Sequence, residues 1–461
     1  VKKLTLLAVL LAVSACTTVG PDYHPPAPEA GAFLGGDPKL TATTPPPASW
    51  WRLYDDGELN RLEEEARVAN LDLRAAAANL ARAQALQQEV DSAQDVGLAA
   101  DFAVERTQLS GESYLVPAQL PSQYLGDGGL HLAYQLDLFG RLKRASEAAA
   151  ADRETVAAAN DVAAISIAAE VARAYGEACA AGHQRDTAQR LLDLQERVRA
   201  VTVQLAKAGR DSPLEVTRVA AGVDQARAAL PLYEARQKLA LYRLAVLTGH
   251  PPAEFPRPVA DCRQPPRLYR PIPIGDGASL LRRRPDVRQA ERALAAATAR
   301  VGVAMAALYP DITLGLGAGS TGRLTDLGMP AAEYWSVGSL ISWRLPDAAA
   351  HARISGADAA AKAALAHFDG VVLTALRETE SSLTVYQQDL ERNAALRAAR
   401  DHAAELTDQT DRLRQAGRSP YLSGLSAQQG LAQAEQSLAL SDDQISADQI
   451  TLFLALGGGW D

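Results

Sequence analysis

The chain has 461 residues, enough for two or three ordinary domains or one elongated body, with 5% aromatic residues and a net charge of −9. So few rings argue against a large aromatic core, and an acidic chain with no basic run argues against nucleic acid as a partner. Seven scattered histidines, none paired at ligand spacing, leave no basis for a zinc or catalytic-histidine centre.

Residues 1–15 read as an export signal. Lys2 and Lys3 form a charged start, and Leu4 to Val13 an apolar run too short to span a bilayer permanently. Ser14 and Ala15 directly before Cys16 resemble the lipobox of bacterial lipoproteins. That resemblance implies a diacylglycerol on the Cys16 thiol and an N-acyl chain on its amine after cleavage, with no other cofactor. Thr17 follows, not the Asp that favours inner-membrane retention in this class, so the resemblance points to the outer membrane. The exported part carries 44 basic and 55 acidic residues, a charge of −11. Residues 16–49 are rich in Pro, Ala and Gly and read as an extended tether.

From Trp50 onward the chain is written twice. "YQLDLFG" from Tyr134 matches "WRLPDAA" from Trp343 at an offset of 209. "LAKAGRDSPL" around Gly209 matches "LRQAGRSPYL" around Gly417 at 208, and "LAVLTG" ending at Gly249 matches "FLALGG" ending at Gly458 at 209. "NLDLRAA" from Asn70 matches "RPDVRQA" from Arg284 at 214. So long a period marks a duplicated half and not a solenoid. The first repeat covers 50–255, a linker 256–279, and the second repeat 280–461.

Each half reads as a helix, two strands and a long helical hairpin. The first helix is expected from Glu58 to Ser92, its counterpart from Pro285 to Ala307. Hairpin arms from Lys143 to Ala208 and from Pro213 to Thr248 carry apolar seams at steps of three and four: Leu191, Leu194, Val198, Val201 and Leu205, then Val216 through Tyr233 to Leu247. Ala399, Ala403, Leu406, Thr410 and Leu413 continue that register in the second half. Long arms of about 65 residues would reach roughly 95–100 Å at 1.5 Å per residue. Cys179 lies mid-helix among alanines and reads as a buried free thiol, although an exported chain could pair it with Cys262.

Four strands alternate with a period of two, at about 96–110, 128–142, 311–322 and 333–346. In "GGLHLAYQLDLFG", Leu130, Leu132, Tyr134, Leu136 and Leu138 would face lipid, with His131, Gln135 and Asp137 facing a lumen. Ten residues is the length a tilted transmembrane strand needs. Four strands cannot close a barrel, so the pattern implies oligomerisation, and three chains would supply twelve. The stretch "GAGSTG" from Gly317 satisfies a dinucleotide-binding spacing but lacks the following helix and acidic residue, so it reads as a strand end.

"WWRLYDDGELNRLEEEARVANLDLRAA", "YQLDLFGRLKRA", "RRRPDVRQAERALAAATARVGVAMAALYPDITL" and the C-terminal "LGGGW" occur in an order that resembles the TolC/OprM/NodT-type outer-membrane efflux channels. The resemblance implies an α+β membrane protein: a trimeric twelve-stranded β-barrel continuous with a twelve-helix coiled-coil tunnel. It implies no enzyme but an outer-membrane exit duct for small toxic compounds, docked to a periplasmic membrane-fusion adaptor and an inner-membrane RND-type pump. Type I protein or peptide secretion and a non-conducting periplasmic scaffold are the alternatives.

In the resembling channels the two helix turns form the periplasmic mouth, and the second carries aspartates. Here Gly209 and Gly417 mark the turns, and the positions matching the aspartates hold Ser419, Ser423 and Ser426. Carboxylates stand instead at Asp211 and Glu215. A selectivity ring is therefore expected from Asp211 or Glu215, with Arg210, Arg414 and Arg418 available for closing salt bridges.

Overall fold

The computed structural model describes residues 18–27, 31, 33–35, 37, 39–345 and 348–458. In chain order the main elements are α1 (Gly57–Ala69), α2 (Leu71–Ser92), β1 (Gly97–Thr107), β2 (Gln123–Leu136), α3 (Arg141–Lys207) and α4 (Pro213–Leu247). They are followed by α5 (Gly277–Arg283), α6 (Pro285–Ala306), β3 (Asp311–Arg323), β4 (Glu333–Ser342), α7 (Ala348–Gln415) and α8 (Tyr421–Ala455). The chain divides into two compact units. One gathers residues up to Pro26, Asn79–Ala157 and Gln289–Asp369; the other gathers Ala27–Ala78, Ala158–Arg288 and Gly370–Asp461.

The expected single helix from Glu58 to Ser92 is two. Asn70 takes an extended conformation between them, and its side chain explains the break. Its Nδ2 donates to the Leu247 carbonyl at 2.9 Å, while its Oδ1 accepts from the Asp72 and Leu73 amides at 2.9 and 3.1 Å, capping α2. Arg284 is the corresponding joint between α5 and α6, with Pro285 opening the second helix. Its buried guanidinium reaches Asp286 at 2.7 Å, Glu378 at 2.8 Å and the Ala455 carbonyl at 2.9 Å.

The second unit is built on Trp50, stacked on Phe453 with ring centroids 4.8 Å apart. Leu59, Leu62, Leu244, Ile272, Leu280, Ile450 and Leu452 close around them, all fully buried. The reading of Cys179 as a free thiol is corrected: it is bonded to Cys262, with Cα atoms 4.7 Å apart. The bond ties the linker to α3. The same linker is held on α8 by a reciprocal pair, Leu268 N–H to Gln449 Oε1 at 2.9 Å and Gln449 Nε2 to the Leu268 carbonyl at 3.0 Å.

The α3 seam of Leu191, Leu194, Val198 and Val201 packs on Leu422, Leu425 and Ala432 of α8, so it joins the two repeats. Val223, Tyr233, Gln237, Ala240, Leu244 and Leu247 of the α4 seam are buried. The α7 register is not packed within one chain. Leu406 and Leu413 are 57% and 44% exposed, whereas Asn393 is buried and Thr407 donates to the Ala427 carbonyl of α8 at 3.1 Å. Polar residues turned inward there, which an apolar count could not register. One repeat match also moves: Gly457, not Gly458, is the counterpart of Gly249. Gly249 N–H bonds Val246 and His250 N–H bonds Ala245, as Gly457 N–H bonds Leu454 and Gly458 N–H bonds Phe453.

The first unit holds an antiparallel four-stranded sheet in the order β1–β2–β3–β4. The start of the expected tether is packed and not free. Val19 N–H donates to the Phe139 carbonyl at 3.1 Å. Arg144 bonds the Val19 and Gly20 carbonyls and pairs with Asp22 at 2.7 Å. Tyr23 bonds Glu291 beneath the Arg292 guanidinium.

Candidate functional site

The sheet has two unlike faces, and the register shows how. Leu98 pairs with Leu132, Leu132 with Leu316, and Leu316 with Val337, a continuous apolar row across all four strands. Ala100, Leu130, Ala318 and Trp335 form the next row. These side chains lie open: Trp335 is 77% exposed, Leu98 69% and Leu130 57%. Soluble monomers rarely expose a contiguous apolar face of this kind, and such faces mark membrane or protein contact surfaces. Aromatic groups stand towards its ends, with the Arg106 guanidinium 5.7 Å over the Tyr124 ring at one and Trp343 Nε1 bonding the Leu308 carbonyl at 3.1 Å at the other.

The opposite face is small and polar. Asp101, Gly129, Gly319 and Tyr334 make one row; Ala99, His131, Gly317 and Ser336 make the next. His131 Nε2 lies 2.9 Å from Asp101 Oδ1. The Tyr334 hydroxyl stands 2.6 Å from where a Cβ on Gly129 would sit and 2.8 Å from one on Gly319. The two glycines thus leave room for the ring to lie flat on the sheet. Gly319 belongs to "GAGSTG", which forms the closing part of β3, one residue short of its end at Arg323 and of the hairpin loop beyond.

Leu130, Leu132, Tyr134 and Leu136 lie on the apolar face, but Leu138 does not. β2 begins at Gln123 and ends at Leu136, not at about 142, and Leu138 lies in the turn before α3. Asp137 is likewise withdrawn from the polar face. Its carboxylate accepts from the Leu142 and Lys143 amides at 3.0 and 2.8 Å, capping α3. β1 and β4 are also shorter than expected, ending at Thr107 and Ser342.

The helix turns are built alike. Gly209 and Gly417 have φ of +72° and +70°. Gly209 N–H bonds the Ala206 carbonyl and Arg210 N–H that of Leu205, mirrored by Gly417 to Arg414 and Arg418 to Leu413. In the first turn Ser212 Oγ accepts from the Glu215 amide at 3.2 Å, and Pro213 opens α4. Asp211 is half-buried and accepts from the Ser212 amide at 2.8 Å; Glu215 pairs with Arg218 on its own helix. In the second turn Pro420 precedes α8, Ser419 is half-buried, and Ser423 and Ser426 are exposed.

The expected closing pairs are not formed within one chain. Arg414 turns to Asp411 at 3.4 Å and lies 5.7 Å over the Tyr421 ring. Arg210 and Arg418 are exposed, without an ion pair among the described residues. Asp411 is the partner of Arg414 that the sequence reading did not name. It precedes Gly417 by six residues, beyond the turn motif itself, and its i,i+3 spacing to Arg414 is the signal that points to it. Cys16 and Trp460 lie outside the described residues.

The model of the family described as "Outer membrane efflux protein" matches residues 62–250 and 278–458. The chain belongs to the outer membrane efflux protein family. Among curated members, nodulation protein T of Rhizobium leguminosarum bv. trifolii is 27% identical, over 98% of this chain and 96% of its own. The solvent efflux pump outer membrane protein SrpC of Pseudomonas putida is 31% identical, over 100% of this chain and 98% of its own. Among solved members, the outer-membrane channel OprN superposes with a TM-score of 0.88 at 33% identity, covering 96% of this chain and all of that one. The family's members are outer-membrane efflux channels, and this member carries a two-faced sheet and two helix turns built alike.

Proposed function

We propose that the protein is the outer-membrane exit duct of a tripartite efflux pump, passing small toxic compounds outward without covalent chemistry. The observation that carries this reading is the uncovered apolar face on a sheet with two open edges, β1 and β4. From Tyr124 to Tyr134 the strand advances ten residues, roughly 25 Å of membrane when tilted by about 40°. In lipid an open edge leaves amide and carbonyl groups unpaired at several kcal/mol each, so β4 of one chain must meet β1 of another. Three copies supply twelve strands and a water-filled lumen, and their long helices supply the periplasmic body. Relatives named as parts of efflux pumps support an adaptor and an RND-type inner-membrane transporter as partners.

Acyl chains on Cys16 would anchor the N-terminus in the same outer membrane. At the mouth, Asp211 and Glu215 stand where a ring of three copies would favour cations. Two experiments test the reading. Purified protein added to a planar bilayer should give discrete single-channel currents, and deletion of the gene should sensitise the host to a panel of solvents and drugs. A protein that neither conducts nor protects would sink it. Asp211→Asn with Glu215→Gln should reduce cation preference; an unchanged reversal potential removes those two residues from the selectivity ring.

A further inference from the structure

Besides Glu435, which pairs with Arg190, helix α8 carries three aspartates, Asp442, Asp443 and Asp448, and each meets a different neighbour. Asp442 is fully compensated. Arg267 of the linker pairs with it, Arg397 approaches at 3.5 Å, and Asn393 Nδ2 donates at 2.8 Å. Neither of the other two forms an ion pair among the described residues.

Asp443 receives a hydrogen bond from Gln184 Nε2 of α3 on its Oδ2. Its Oδ1 is buried with no donor, and so is Gln184 Oε1, the other half of the same amide. A carboxylate and an amide side by side, each with one orphan acceptor, lack a single hydrogen. A proton on Asp443 Oδ1 would turn that oxygen into a donor, the one kind of group that the orphan acceptor Gln184 Oε1 of the same contact lacks. Asp448 repeats the pattern. It is 7% exposed, accepts from Gln444 Nε2 at 2.8 Å, and keeps its Oδ2 buried without a donor. The group facing it from α7 is another carboxyl, Asp389, whose nearest cation is Arg392 at 3.8 Å.

We propose that Asp443 and Asp448 are proton-binding residues that fasten α8 to α3 and to α7, each holding a hydrogen between two acceptor oxygens. Ionisation releases that proton to solvent, and it leaves a buried charge beside Gln184 in one case and beside a second carboxylate in the other. The surrounding charges are consistent with this. A cleft of about 470 Å³ borders Asp443, and its wall includes Glu177 and Arg173 of α3, Arg236 and Arg243 of α4, and Gln444. Arg243 is engaged by Glu177 at 3.1 Å and Arg236 by the Tyr233 ring, so neither neutralises Asp443. Tyr386 of α7 adds no charge beside Asp448. Burial lifts Asp443 and Asp448 each to about 6, with Asp389 adding to the effect on Asp448.

Both folded values stand above the ordinary Asp value, so the folded state holds these protons longer than the unfolded chain does. The stabilising contribution is complete at acid pH, falls as pH rises between about 4 and 6, and is gone above that window. The test compares the full-length parent with Asp443→Asn/Asp448→Asn, in which amides replace the protonated acids. In thermal melts from pH 4 to 8 the variant should match the parent at pH 4, pull ahead by several degrees by pH 6.5, and keep a constant lead above it. Infrared difference spectra between pH 4.5 and 7.5 should show loss of a buried protonated-carboxyl band in the parent that is missing in the variant. Melting curves that run parallel across the range, or a parent spectrum without that band, would overturn the proposal.

Discussion

Glu63 is buried on α1 at 4% exposure, and one of its carboxylate oxygens has no donor. Burial raises its pKa well above the usual carboxylate range, so the folded chain loses stability as pH climbs through that range. Glu63→Gln should therefore be more stable than the parent at pH 7, because the parent must take up a proton to bury its carboxyl and the neutral amide need not. The advantage should vanish below pH 4, and urea melts at the two pH values would measure it. The turn glycines obey a simpler rule. A Cβ on Gly209 or Gly417 would meet nothing within 4 Å, so only the positive φ opposes alanine. Each Gly→Ala change should cost roughly 1–2 kcal/mol with the fold intact, read as a lower melting temperature.

At the level of elements, the linker is held from two sides, by the Cys179–Cys262 bond to α3 and by Gln449 of α8. The bond closes a separation of 83 residues. In the chain-entropy view its loss from the folded protein costs about 4–5 kcal/mol. Cys179→Ala/Cys262→Ala should therefore unfold at distinctly lower denaturant, and a midpoint equal to the parent's would show that the linker is held by its hydrogen bonds alone. Within the sheet, Gly319→Val would drive its side chain into the Gly128 carbonyl, 2.4 Å from its Cβ, and into Tyr334. The strand should then fail to pair, and correctly assembled protein should be lost from outer-membrane fractions.

The whole molecule depends on surfaces that one chain leaves open. On the proposed reading the apolar sheet face meets lipid, and the open edges of β1 and β4 meet other copies. Protein extracted in mild detergent should sediment as a trimer and migrate as one in unheated gels, shifting to monomer on boiling. A monodisperse monomer would contradict the edge argument. The exposed Leu232, Leu239 and Val246 of α4 lie seven residues apart on one stripe, as a surface reserved for another helix would.

Local chemistry was legible in the sequence because periodicity and turn residues act within a few positions of themselves. The alternating Leu130–Leu136 face, the α4 seam, both Gly turns and the duplication all follow from spacing alone. What the tertiary structure decided involves partners distant in sequence. Asn70 breaks a helix because Leu247 waits for its amide, and Cys179 finds Cys262 because the linker crosses α3. Asp137 leaves the sheet to cap a helix, and Asp443 keeps an orphan oxygen because Gln184 is its sole companion. Alternation tells which side chains share a face; packing alone determines which polar atoms find a partner and which are left short of a proton.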